Sequence, residues 1–193
     1  LYKSESNSYE QIHTVPHLPG KRMSAVPIYI LTSRQTFSGA EDFSYTLKHH
    51  RRALIVGEAT SGGANTIDEK IVYNDFVIHL PTGYPIHPET NSNWEGTGVE
   101  PDIAVPYEKA LGVAHIHALE TLIERSSNEE YVRRLRFELD RAKAMYSPID
   151  ISRDILSKYV GTYGSYFVNL KNSALSIFSS KDNRIQWNLK PID

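Results

Sequence analysis

The sequence predicts an α/β core followed by helices and a small antiparallel β appendage. Three observations carry this. Val26–Leu31 and Ala53–Val56 are short, apolar, β-branched runs bounded by turn signals, as buried strands require. Between them, Ala40, Phe43 and Leu47 recur at helical spacing, and the alternation of strands with crossover helices over residues 26–124 implies an α/β arrangement. After Pro148 the pattern changes to short strand-like runs separated by polar turns.

In chain order, residues 1–13 are polar and predict a loop or frayed strand. Pro16, Pro19 and Gly20 punctuate an extended entry to the first buried strand. A helix over Ala40–His50 and the strand Ala53–Val56 follow, then a glycine-rich loop over 59–66. Lys70–Leu80 reads as strand, with Asn74-Asp75 a plausible hairpin turn. Residues 81–106 carry many prolines and glycines and predict loop. Tyr107–Glu124 predicts a helix. Ser127 and Glu130 have the spacing of a capping box for the next one, whose stripe Tyr131, Leu135, Leu139, Ala142 and Met145 requires a packing partner. Ser152–Tyr159 predicts a short helix stopped by Gly161. Tyr163–Leu170, Ala174–Phe178 and Ile185–Leu189 predict three strands. The expected division is a core over 1–125, a helical connector over 126–150 and a β-rich module over 151–193.

Composition narrows the function classes. The 193 residues are 40% hydrophobic and 23% charged, with formal net charge −2. Without a basic excess, nucleic acid and acidic membrane surfaces are not expected partners; the Arg133-Arg134-Leu135-Arg136 stretch is flanked by acids and reads as a solvated helix face. The absence of cysteine excludes disulfides and thiol catalysis. No apolar run approaches the ~18 residues of a membrane span.

The residue with chemical promise is Ser38. It follows a buried strand and a polar turn and opens a helix, where backbone N–H groups and the helix dipole favour negative charge. A serine there is either a cap or a nucleophile whose neighbouring N–H, that of Gly39, stabilises an oxyanion. Gly62-Gly63 forms no phosphate loop, because the Gly-Lys-Ser/Thr ending is missing.

Three blocks decide between the two readings of Ser38. Thr32-Ser33-Arg34-Gln35-Thr36-Phe37-Ser38-Gly39-Ala40-Glu41, then Gly57-Glu58-Ala59-Thr60-Ser61-Gly62-Gly63, then Asn93-Trp94-Glu95-Gly96-Thr97-Gly98-Val99-Glu100-Pro101-Asp102 occur in register. Over residues 14–120 the chain resembles the C-terminal processing (tail-specific) serine peptidases, nearest the branch of interphotoreceptor retinoid-binding protein and the tricorn core protease. The resemblance implies a crotonase- or Clp-protease-like ββα core, Ser38 as nucleophile, Gly39 as an oxyanion donor, and peptide or protein substrates without a cofactor or metal. It also implies an extracytoplasmic setting. Glu95 matches a glutamate of the tricorn-like catalytic tetrad; it equally suits a turn carboxylate capping the Gly96–Gly98 loop. Glu41, Glu58 and Asp102 read as structural, in capping and turn formation.

The base is the missing piece. Processing peptidases place a lysine where this chain has Gly63, and Lys70 lies several residues beyond. His49 and His50 lie ~16 Å along the helix from Ser38 at the usual rise. His115 and His117 fall in a later helix, and His79 alternates along a strand. His13 and His17 have the spacing of a helical metal pair, but Pro16 between them argues against a helix and zinc is not expected. His87, in the loop leading to Glu95, is the one histidine retained as a candidate. The tricorn-like branch takes its base from upstream of the nucleophile strand. No signal-peptide pattern opens the chain, and the upstream glycine turn of the family is not in it. A C-terminal portion of a peptidase, inactive in isolation, is therefore expected. The rival expectation is a non-catalytic module holding an apolar ligand or peptide, as in the retinoid-binding relative. An esterase is a weaker third, since Gly-x-Ser-x-Gly is absent.

Overall fold

Two parallel strands joined by a crossover helix place Ser38. They are seen in a computed structural model that describes all residues except 16, 74, 180–185 and 192–193. The chain forms two compact units, Leu1–Ala114 and His115–Asp193.

The first unit begins with a short hairpin, β1 (Tyr2–Lys3) and β2 (Ser8–Tyr9), then β3 (Ile28–Thr32), α1 (Gly39–His49) and β4 (Ala53–Gly57). Next come β5 (Thr66–Val72), β6 (Phe76–Tyr84) and the two-residue β7 (Ile103–Ala104), before α2 (Tyr107–Arg125), which runs on into the second unit. β3 and β4 are parallel, paired from Ile28 opposite Ala53 to Thr32 opposite Gly57. β7 adds parallel to the other side of β4, giving the order β3-β4-β7.

β4 is therefore the central strand. Ile55 and Val56 are both fully buried, and because consecutive strand residues point to opposite faces, both faces of β4 are covered. Val56 packs with Ala110 and Ala114 of α2. Asp102 closes this sheet: its carboxylate accepts the Ile55 N–H at 2.8 Å and pairs with Lys48 of α1 at 3.1 Å. Ligand sites of parallel sheets lie beyond the carboxyl ends of the strands. Here those ends lead, after Thr32, to Ser38 and, after Gly57, to the glycine-rich loop.

The second sheet is antiparallel, ordered β2-β1-β6-β5. The hairpin expected over Lys70–Leu80 forms and is longer, starting at Thr66 and ending at Tyr84. Asn74 of the expected turn lies outside the described residues. The opening residues expected to be loop or frayed strand form β1 and β2, with Tyr2 opposite both Tyr9 and Tyr84.

In the second unit, α2 packs against α3 (Glu129–Tyr146) through Leu119, Leu135 and Ala142. Two expectations need correction here. Asn128, not Ser127, caps α3, because its side-chain oxygen accepts the Tyr131 N–H at 3.0 Å. Met145 is exposed, and Tyr146 joins the packed face instead. After α4 (Arg153–Ser157), the strands β8 (Gly161–Tyr163), β9 (Tyr166–Lys171), β10 (Ala174–Ser179) and β11 (Gln186–Leu189) form an antiparallel meander. It has four strands where three were expected. Gly164, at φ 62°, reverses the chain inside the stretch read as one strand. Ile185, expected to begin the last strand, lies outside the described residues.

Truncating the central strand tests this layering. Ile55→Ala is expected to lower stability by about 2–5 kcal/mol in urea unfolding. Ile71→Ala, on the exposed hairpin, should change it by no more than about 0.5 kcal/mol.

Candidate active site

Ser38 occupies the turn between β3 and α1 with φ 55° and ψ −121°. That region is accessible to glycine at little cost, but it strains a residue bearing a Cβ by about 1–3 kcal/mol. A strained strand-to-helix turn that exposes a serine hydroxyl is the geometry of a nucleophile elbow. It arises here without the Gly-x-Ser-x-Gly pattern. Ser38 and Gly39 are both solvent-exposed. A Cβ placed on Gly39 meets no described atom within 4 Å, so the turn is open on that side.

The strain is held in place by Glu41. Its side chain is fully buried. Oε2 accepts the N–H of Ser38 at 2.8 Å and of Gly63 at 2.9 Å; Oε1 accepts the N–H of Gly62 at 2.6 Å and the hydroxyl of Thr60. Burial pushes this carboxyl's pKa up. The Thr60 hydroxyl and the three backbone N–H donors outweigh burial, and the pKa lies below the ordinary 4.5. The carboxylate is thus charged, and it locks the Ser38 turn to the glycine-rich loop.

Further bonds repeat this connection. The Thr60 hydroxyl accepts the Val99 N–H at 2.7 Å, and the Gly96 N–H reaches the Gly62 carbonyl at 2.9 Å. Gly62 has φ 87°, and a Cβ there would lie 2.9 Å from the Gly98 nitrogen, so both its conformation and its close approach need glycine. The Trp94 indole N–H donates to the Gly63 carbonyl at 3.0 Å. On the upstream side, the Glu58 carboxylate accepts the Arg34 N–H, and the Ser61 N–H donates to the Thr36 carbonyl. All three sequence blocks therefore meet at one place, over a small core of Tyr45, Ala64, Trp94 and Val99.

Glu95 is exposed at the rim, and its Oε2 accepts the N–H groups of Ala64 at 2.6 Å and Asn65 at 3.0 Å. It binds the glycine-rich loop rather than the Gly96–Gly98 turn that its own segment forms.

The basic residues are elsewhere. Gly63 stands where a processing peptidase has lysine, and a Cβ at this position would fall 2.1 Å from Cε2 of the Phe37 ring; the ring occupies the path such a side chain would take. Lys70 lies on β5, 3.8 Å from Glu5. His79 faces Glu69 across the hairpin at 3.4 Å. His87, retained above as a candidate base, packs beside His49 and His50 at the far end of α1 from Ser38, with ring centroids 5.4 and 5.1 Å away. Its position removes it as the partner of Ser38. Among the described residues, no lysine or histidine hydrogen-bonds to the Ser38 hydroxyl.

Sequence reasoning assigned Glu41 a capping role and missed that it gathers donors from a second loop. The acid three residues after the serine was visible; its partners at 60, 62 and 63 were not. Glu41→Gln replaces an acceptor with a donor facing N–H groups and should cost about 2–4 kcal/mol in chemical unfolding. The pH dependence has a fixed sign. With the folded pKa below 4.5, the wild-type contribution is complete above that value and is lost as pH falls through the folded pKa. A Glu41→Gln variant should lack that step.

The chain is similar to several solved peptidases. A photosystem II D1 C-terminal processing protease is 26% identical over 44% of this chain and 22% of its own, with a TM-score of 0.39. Mature CPAF is 32% identical over 44% of this chain and 17% of its own, at 0.35. CPAF complexed with lactacystin gives 29% identity over the same shares, at 0.39. The matched part of the chain thus covers less than a quarter of the length of each of these enzymes. The family model for peptidase family S41 matches residues 2–105, which is more than half of the chain and takes in Ser38, Glu41, the glycine-rich loop and Glu95. The chain belongs to peptidase family S41.

Proposed function

We propose that this chain is part of a serine peptidase that cleaves peptide bonds through an acyl-enzyme on Ser38. The observation that carries the reading is the strained, exposed Ser38 held by the buried Glu41 carboxylate. Strain of this kind persists where surrounding structure over-determines it, and it concentrates at sites of function. The hydroxyl oxygen attacks the scissile carbonyl carbon, its proton passes to a base, and the carbonyl oxygen gains the charge. The Gly39 N–H, at the first turn of α1, is aimed to stabilise that oxyanion. Collapse breaks the C–N bond and the proton returns to the leaving amine. Water then hydrolyses the acyl-serine.

Glu95 acts in this reading as a positioning carboxylate that fixes Ala64 and Asn65 beside the nucleophile turn. In this reading the general base is supplied by a part of the peptidase beyond these 193 residues; among the described residues no lysine or histidine bonds to the Ser38 hydroxyl. Peptide or protein substrates, an extracytoplasmic setting and a crotonase-like ββα superhelix for the parent fold belong to the same proposal, and family membership supports them.

A second reading has one observation in its favour. An open hollow of about 530 Å³ beside the nucleophile turn is lined by Ile30, Leu31, Phe37, Ala40 and Phe43 alongside the polar Ser33, Gln35, Thr36 and Ser44. It suits an apolar ligand held without chemistry, and equally an apolar substrate side chain next to Ser38.

Labelling with a fluorophosphonate separates the two. The protein in its natural full-length form should label, and Ser38→Ala should abolish the label. The 193-residue chain alone should label at least about 100-fold more slowly, the lower end of what a positioned general base contributes. A folded natural form that does not label contradicts the peptidase reading and favours the binding module.

A further inference from the structure

The loop from Pro85 to Glu95 is closed by its own bonds. The His87 N–H donates to the Ser92 carbonyl and the Asn91 N–H to the His87 carbonyl, each at 2.9 Å. The Asn93 amide donates to the Pro85 carbonyl at 2.9 Å, and the Asn93 oxygen accepts the Glu95 N–H. The end of this loop holds the glycine-rich loop, through Trp94 on Gly63 and Glu95 on Ala64 and Asn65.

His87 is the part of the loop that is inserted into the protein. Its side chain is 6% exposed, set among Tyr45, His49 and His50 of α1. Nδ1 accepts the Glu89 N–H at 3.3 Å, which places the ring hydrogen on Nε2. Nε2 is itself buried with no hydrogen-bond partner among the described residues. This arrangement admits only a neutral ring. A second proton would have to go on Nδ1, where it faces the Glu89 N–H, and the resulting cation would be buried beside two further histidines.

We infer that residues 85–95 form an acid-released latch: protonation of His87 expels its ring from α1, and Trp94 and Glu95 then let go of the glycine-rich loop. The inference rests on the geometry of this loop alone and stands whether or not Ser38 reacts.

The charges facing the ring set the direction. Burial, then His50 and His49, lower the pKa of His87 from the ordinary 6.5, while Glu89 and Asp42 raise it by less. Glu89 is itself engaged by His50, at 3.1 Å. A histidine lowered in the closed form binds its proton more tightly once released. Latch stability is therefore complete above pH 6.5 and is lost as pH falls through the folded pKa.

The chain has two tryptophans, so Trp187→Phe leaves Trp94 as sole reporter. Trp94 is 3% exposed and packs on Tyr45 at 5.4 Å. Between pH 7.5 and 5.0, a window above the Glu41 step, acrylamide quenching of Trp94 should rise at least about twofold, with a one-proton midpoint below about 6.5. His87→Gln should abolish the transition. His49→Gln and His50→Gln each remove a neighbour that lowers the His87 pKa and should move the midpoint upward, which keeps the test decisive if His87→Gln does not fold. No rise in quenching, a transition that persists in folded His87→Gln, or a midpoint unmoved by the two α1 variants would overturn the latch.

Discussion

One buried carboxylate organises this molecule's chemistry. Glu41 takes a Ser38 N–H from its own helix turn and three donors from the loop after β4. An isolated carboxylate in a fully buried position would take up a proton. Four donors keep it charged, and that charge makes the geometry directional: backbone N–H groups that would otherwise point apart must converge on it. Ser38 consequently stays in a conformation that an unconstrained residue with a Cβ would leave. The strain at Ser38 and the burial of Glu41 are two ends of one constraint.

The sheet places the two partners so that this constraint can act. β3 and β4 run parallel and end level, Thr32 opposite Gly57, so the turn after one and the loop after the other start side by side. Cross-bonds such as Thr32 Oγ1 to the Glu58 carbonyl tie them where they leave the sheet. The third block then presses in from the loop side, with Val99 on Thr60, Gly96 on Gly62 and Trp94 on Gly63. Glu95 and Glu41 grip the same loop from opposite ends, at Ala64–Asn65 and at Gly62–Gly63. The His87 ring, wedged against α1, fixes the segment from which Glu95 reaches.

Much of this frame could be read from the chain. β3, α1, β4 and α2 carry long-range apolar patterning, and each formed close to its expected bounds. The three blocks gave the family because their residues are separate in sequence but meet in space. The errors fell where the signal was local and small. Gly164 turned one strand into two, and Asn128 rather than the adjacent Ser127 capped α3, because either can serve and the helix start decides. The strand β7 escaped notice because its two residues are fixed by β4 rather than by their own pattern. Glu95 read either as a tetrad carboxylate or as a cap for its own turn, and its hydrogen-bond partners lie some thirty residues upstream. His87 read as a possible base because sequence shows proximity along the chain; burial against the far end of α1 is a tertiary fact.

The central claim is that the Glu41 carboxylate, more than the turn sequence around Ser38, holds the Ser38 turn to the glycine-rich loop. Amide hydrogen exchange measured residue by residue in wild type and Glu41→Gln tests it most directly. The Ser38, Gly62 and Gly63 amides should exchange slowly in wild type and at least about tenfold faster in the variant, while Ile55 of the central strand keeps its protection relative to global unfolding. Equal protection of those three amides in a folded variant would contradict the claim and leave the elbow to its local sequence.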